Sequence, residues 1–202
     1  MTTERGGYAK GDRRRADIVA AAFDAFAGNG FRHASMVQIA AACGVSRAGL
    51  AHHFPSKETL LAAVLAERDR QNDARFFAGA DPSRDGFDYL ARLVRAVEHN
   101  ATQRGIVSLF AVLSTEASDP EHPAHATFAA RYDGLRRDLR DAFGELDRRG
   151  LLRDTVAVAG LESEVIALID GLQVQWLLDE RSVDMGERLR HRLGEIVRVP
   201  LP

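Results

Sequence analysis

The sequence predicts an all-α protein. Apolar residues recur at helical spacing along almost the whole chain, there is no sustained alternating Val/Ile/Thr run with hairpin turns, and Gly, Pro or capping residues separate one periodic run from the next. With 46% hydrophobic and 28% charged residues over 202 positions, the composition is that of an ordinary globular protein, long enough for a small domain joined to a larger one.

Residues 1–12 are Gly-rich and polar with no apolar face, so they are expected as a flexible arm ending at the basic run Arg13–Arg15. The first helix is expected to start after Asp12 as N-cap and to bury Ile18, Val19, Ala22, Phe23 and Phe26. Gly28, Asn29 and Gly30 supply a left-handed stop. Ser35 with Gln38 three residues on has the form of a capping box and opens a short helix through Cys43. Gly44 breaks that helix, Ser46 caps a third ending near Phe54, and after Pro55-Ser56 a fourth starts at Lys57 and runs to about Phe77. Further helices are expected near 87–103, 105–117, 125–149, 158–178 and 184–197. This gives an arm (1–12), a three-helix head (13–56) and a larger helical body (57–202).

Formal charge is −2 overall but unevenly spread. Met1 to Leu60 carries eight Lys/Arg against five Asp/Glu, a surplus of +3, and the remainder sums to −5. A basic head on an acidic body suits a protein that sets one end on phosphates and keeps the other off them. The single Cys43 forms no internal disulfide, and neither a leader nor an apolar run long enough to span a membrane is evident, so a reducing, cytoplasmic setting is expected.

The segment from Ser35 to Phe54 has the parts of a helix-turn-helix. Ala40 is small where two helices would cross, Gly44 tolerates left-handed geometry in the turn, and Val45 with the Leu50/Phe54 pair seats the second helix. Arg47, Ala48, Gly49, His52 and His53 are left for the outer surface. Arg15 to Leu61 closely resembles the DNA-binding region of the TetR family of repressors: Phe26-Ala27 with Gly30 beyond, Ile39-Ala40, Gly44-Val45-Ser46, Leu50, then Phe54, Ser56-Lys57-Glu58 and Leu60-Leu61. The resemblance covers about a quarter of the chain. It implies that Arg47, Ala48 and Gly49 face base edges of double-stranded operator DNA, that Ser35, His52, His53 and Lys57 meet its backbone, and that the later helices form a ligand-binding dimer. Arg13 and Arg14 are expected against phosphates too. One position departs: the Tyr common just after Leu50 is Ala51 here, which shifts that contact to His52 or removes it. Independently of the family, Arg47 and Lys57 fall in first helical turns, where the dipole disfavours a cation by about 0.3–1 kcal/mol unless an anion sits nearby.

One short recognition helix contacts too few base pairs for useful specificity, so the body is expected to make a homodimer. The helix near 158–178 is apolar on two sides, and the interface is expected on Leu161, Val165, Leu168 and Leu172, continued by Met185, Leu189 and Leu193 of the last helix. An effector pocket for a mostly apolar small molecule is expected among His99, Asn100, Phe110, Phe128, Tyr132, Gln173 and Trp176. His122 and His125 with Glu121 are interrupted by Pro123 and match no metal-ligand spacing, so they read as a helix start. No phosphate-cradling Gly loop, nucleophile elbow or cofactor motif is present, which sets a ligand-released repressor above a small helical enzyme or a non-specific architectural DNA binder; no cofactor and no catalytic residue is expected.

Overall fold

The computed structural model describes residues 4–201, with side chains placed from Gly11 onward. In chain order the helices are α1 (Glu4–His33), α2 (Met36–Ala42), α3 (Arg47–His53), α4 (Lys57–Asn72), α5 (Gly86–Asn100), α6 (Arg104–Glu116), α7 (His125–Arg148), α8 (Leu161–Leu178) and α9 (Met185–Ile196). A π-helical turn, Asp73–Phe77, continues α4. Among the described residues there is no strand, only an antiparallel bridge between Leu152 and Val197 that ties the loop after α7 to the end of the chain.

Two expectations for α1 are corrected. The helix begins upstream of Asp12, at Glu4, so Asp12 is an interior residue and 4–12 continue the helix; residues 1–3 lie outside the described residues. Once a helix is nucleated each added residue gains a hydrogen bond at little entropic cost, so growth upstream from the apolar stretch overrides weak local propensity. At the other end the expected stop is present: Gly30 adopts φ 75°, ψ 158°, and the chain kinks there.

Apolar side chains segregate into two cores. The first joins Ile18, Ala22 and Phe26 of α1, Ile39 and Ala40 of α2, Leu50 and Phe54, and Leu60, Leu61, Val64 and Leu65 of α4. It extends to Leu109 and Leu113 of α6 and Phe128 of α7. The head is therefore seated on the body through a shared core. α6 approaches α1 so closely that a Cβ at Gly105 would lie 2.9 Å from the Ala27 carbonyl oxygen, a clash that any larger residue would force apart. The second core packs α5, α7, α8 and α9 around Leu90, Leu139, Phe143, Leu172, Leu189 and Leu193.

That second core corrects the expected interface. Leu161, Val165, Leu172, Met185, Leu189 and Leu193 are all buried in the chain's own core, and Leu168 alone of the set is half-exposed. The body must first bury its own helices, and the stripe richest in large aliphatic residues does that best.

Candidate DNA interface and effector cavity

The two short helices of the head are fixed at both ends by their own sequence. Ser35 caps α2, accepting from the Val37 amide at 3.3 Å, and Ser46 caps α3, accepting from the Gly49 amide at 3.0 Å. Between them Gly44 takes φ 65°, and the amides of Gly44 and Val45 return to the carbonyls of Ala41 and Ala40 at 3.2 and 2.9 Å. Burial of Ala40 and Leu50 orients α3 so that Arg47, Ala48 and His52 are exposed and Gly49 and His53 half-exposed. Arg13 and Arg14 are also exposed, Arg14 reaching the Cys43 carbonyl at 3.4 Å. Arg15 lies 4.4 Å from the Phe54 ring centroid and ties α1 to the end of α3.

Lys57 departs from its expected role. Its ammonium donates to the carbonyls of Phe31, Arg32 and Ala34 at 2.9, 3.1 and 3.3 Å and lies 4.6 Å from the Phe31 ring centroid. The carbonyls at the end of α1 supply the negative partner that its first-turn position asked for, so Lys57 is a clamp between α1 and α4. Sequence reasoning missed Val37, 57% exposed on α2 beside this surface, because an apolar residue on a short helix reads as core.

At the far end of α4 a cavity of about 570 Å³ opens between α4, the π-helical turn, α5, α6, α7 and α8. Of the expected pocket residues, Asn100, Phe110, Phe128, Tyr132 and Gln173 line it. His99 and Trp176 do not: His99 stacks beside Phe76, with ring centroids 5.4 Å apart, and Trp176 is buried in the body core. Apolar positions at the right spacing fill cores as readily as cavities, so the sequence could not separate them.

The cavity is more highly charged than expected. Arg68, Asp69, Asn72 and Asp73 enter from α4 and the turn after it, Arg131 and Asp138 from α7, and Asp170 from α8. Arg68 is 8% exposed; it donates to the side-chain amide oxygen Oδ1 of Asn100 at 2.7 Å, and its Nε has no hydrogen-bond partner. Burial, with the nearby Arg75 charge second, pulls its guanidinium below the usual arginine range. Arg131 pairs with Asp69 and lies 4.7 Å from the Phe110 ring centroid. Tyr132 donates to Asp170 at 2.8 Å, and burial followed by that carboxylate pushes the phenol up to about 12. Burial raises Asp73, Asp138 and Asp170 above the ordinary carboxylate range, opposed at Asp138 by Arg137 and at Asp170 by the Tyr132 bond and Arg131. Arg92 donates to the carbonyls of Phe76 and Ala78 at 3.0 and 3.3 Å and so fixes the π-helical turn to α5. One signal for these residues was present in the sequence: Asp170 is a lone carboxylate in the apolar run of α8.

A short exposed second helix held across a glycine turn, on a helical body with an internal cavity, defines the class of helix-turn-helix regulators. Residues 18–64 match the family described as bacterial regulatory proteins, tetR family, and residues 89–198 match the BetI-type transcriptional repressor C-terminal family. The chain belongs to the TetR family of DNA-binding transcriptional regulators. It is 36% identical over 97 residues to the HTH-type transcriptional regulator UidR of Escherichia coli K12, an alignment covering 46% of this chain and 47% of that protein, so it spans about half the length of that relative. A putative transcriptional regulator from Saccharomonospora viridis, solved in complex with choline, superposes with a TM-score of 0.74 at 24% identity, over 93% of this chain and 100% of that one. NalD, the secondary repressor of the MexAB-OprM multidrug efflux pump of Pseudomonas aeruginosa, superposes with a TM-score of 0.70 at 24% identity, over 94% and 98%. No described helix is long and apolar enough to cross a membrane.

Proposed function

We propose that the protein is a homodimeric repressor that holds a palindromic operator and lets go when a small molecule fills the cavity. The observation that carries this reading is the course of α4: its first residue, Lys57, clamps the end of α1 in the head, and its last turns place Arg68, Asp69 and Asn72 in the cavity wall. A ligand that displaces the far end of α4 displaces the head with it. Two recognition helices must enter successive major grooves ~34 Å apart, so a shift of a few ångströms removes one of them.

Arg47, Ala48 and Gly49 are assigned to base edges, and Arg13, Arg14, Ser35, His52 and His53 to phosphates; Lys57 is not assigned to DNA. The dimer face is assigned to the outer side of α8, where Ala167, Gly171, Val174 and Leu178 form a stripe with Val174 52% and Leu178 84% exposed. Leu168 joins it at the edge. Small residues at the centre of that stripe let two copies of α8 approach closely. Footprinting of the full-length protein on the DNA upstream of its own gene tests this reading. One discrete, two-fold symmetric protected site is expected, and uniform coverage would favour non-specific binding.

A further inference from the structure

We infer that the cavity is built for a small dipolar ligand, one that carries a hydrogen-bond-accepting anionic group at one end and a cationic group at the other. The inference rests on the reading of this cavity as the effector site and names the chemistry that would occupy it.

Among the described residues, Arg131 is ion-paired with Asp69, and Asp170 accepts from Tyr132. Charges without such a partner remain at two places. Arg68 is more than nine-tenths buried, has only the neutral Asn100 amide as partner, keeps an unpartnered Nε, and has no carboxylate within ion-pair distance. Asp73, exposed, and Asp138, half-exposed, line the same cavity, and among the described residues neither has a cation within ion-pair distance; the Tyr89 hydroxyl donates to Asp138 at 3.5 Å. The Asp73 charge is near enough to raise the cost of ionising Asp138, and both carboxylates raise that of Tyr89.

Arg68 is a buried charge left uncompensated, among the costlier features a fold can carry, and such groups gather where a ligand completes them; Asp73 and Asp138, nearer solvent, contribute negative potential rather than a buried cost. A purely anionic ligand would satisfy Arg68 and add repulsion from Asp73 and Asp138. A purely cationic ligand would do the reverse. A ligand bearing both groups neutralises both places at once, with its connecting atoms against Phe110, Phe128 and Leu93. The volume, about 570 Å³, accommodates such a molecule.

Isothermal titration calorimetry of the full-length protein with a graded series of ω-amino acids, each beside the n-alkylamine and the n-alkyl carboxylate of matching length, tests this. At the best length the amino acid is expected to bind at least about tenfold more tightly than either analogue. Arg68→Met should reduce the amino acid to the affinity of the amine, and Asp138→Asn should weaken the amino acid and the amine while leaving the carboxylate unchanged. An amine or a carboxylate that binds as tightly as the amino acid overturns the inference, as does a series in which no member binds. The ligand series measured on the wild-type chain decides the matter even if a variant fails to fold. The operator footprint of the unliganded protein separates this inference from the regulator reading. A footprint with no preference for the dipolar ligand sinks only the ligand class, whereas selective dipolar binding without any footprint sinks only the repressor.

Discussion

The recognition surface and the cavity use the same kinds of residue in opposite surroundings. On α3, Arg47 is exposed, and its charge is hydrated until a partner arrives. In the cavity, Arg68 is 8% exposed and has lost that hydration. A solvated charge costs little while it waits, so the head can present its contacts permanently and still fold tightly on its caps and on Leu50 and Phe54. A buried charge costs free energy while it waits, so the cavity stores a preference for being filled. The first arrangement gives a surface that is always ready, and the second gives a site whose occupancy can change the conformation around it.

The largest expected effect breaks the link between the two regions. Gly171→Arg places a charge at the centre of the outer face of α8, where a Cβ meets nothing within 4 Å in the chain itself, so the monomer should fold. Sedimentation should show monomers, and operator affinity should fall about 100-fold or more, roughly 2.7 kcal/mol. A dimer with unchanged affinity would move the interface elsewhere.

Arg47→Ala tests the recognition surface alone. Operator affinity should fall by about 1–3 kcal/mol with relaxed base preference at one position per half-site, while ligand affinity at the cavity stays as it was. Equal losses on operator and random DNA would make Arg47 a phosphate contact instead.

Lys57→Met separates a clamp from a DNA contact. Three carbonyls lose their donor, so the melting temperature should drop by the equivalent of about 1–3 kcal/mol. The slope of operator affinity against salt should not change, because no phosphate contact is removed. A flatter slope with an unchanged melting temperature would restore Lys57 to the DNA backbone.

The smallest effect sharpens the contrast from the cavity side. Burial holds the Asp138 carboxyl above its unfolded value, so the folded state binds the proton more tightly than the unfolded state does. That group's penalty is absent below the unfolded value, grows as pH rises through the interval up to the folded value, and is complete above it. Asp138→Asn should therefore raise the melting temperature of the unliganded protein at neutral pH, and the gain should shrink as pH falls into the carboxylate range. A gain that persists in acid would trace to packing around Tyr89.

What the sequence determined by itself is the local part: among the described residues, nine α-helices that lie near their expected positions apart from the start of α1, the Ser35 and Ser46 caps, the turn at Gly44 and the exposed face of α3. Each depends on residues within one or two helical turns of one another, and such spacings are written directly in the chain. Three matters were left to the tertiary structure. Lys57 reads as a basic residue at a helix start, and only the arrival of the α1 carbonyls from more than twenty residues away makes it a clamp. Helix α8 is apolar on two sides, and only the packing of α5, α7 and α9 decides that Leu161, Val165 and Leu172 turn inward while Ala167, Gly171 and Val174 stay outside. Arg68, Asp138 and Asp170 look like solvated helix faces or isolated charges until α4, α7 and α8 close around one space and withdraw them, wholly or in part, from solvent. Burial of a charge is a property of everything that surrounds it, and a local pattern records only the neighbours along the chain.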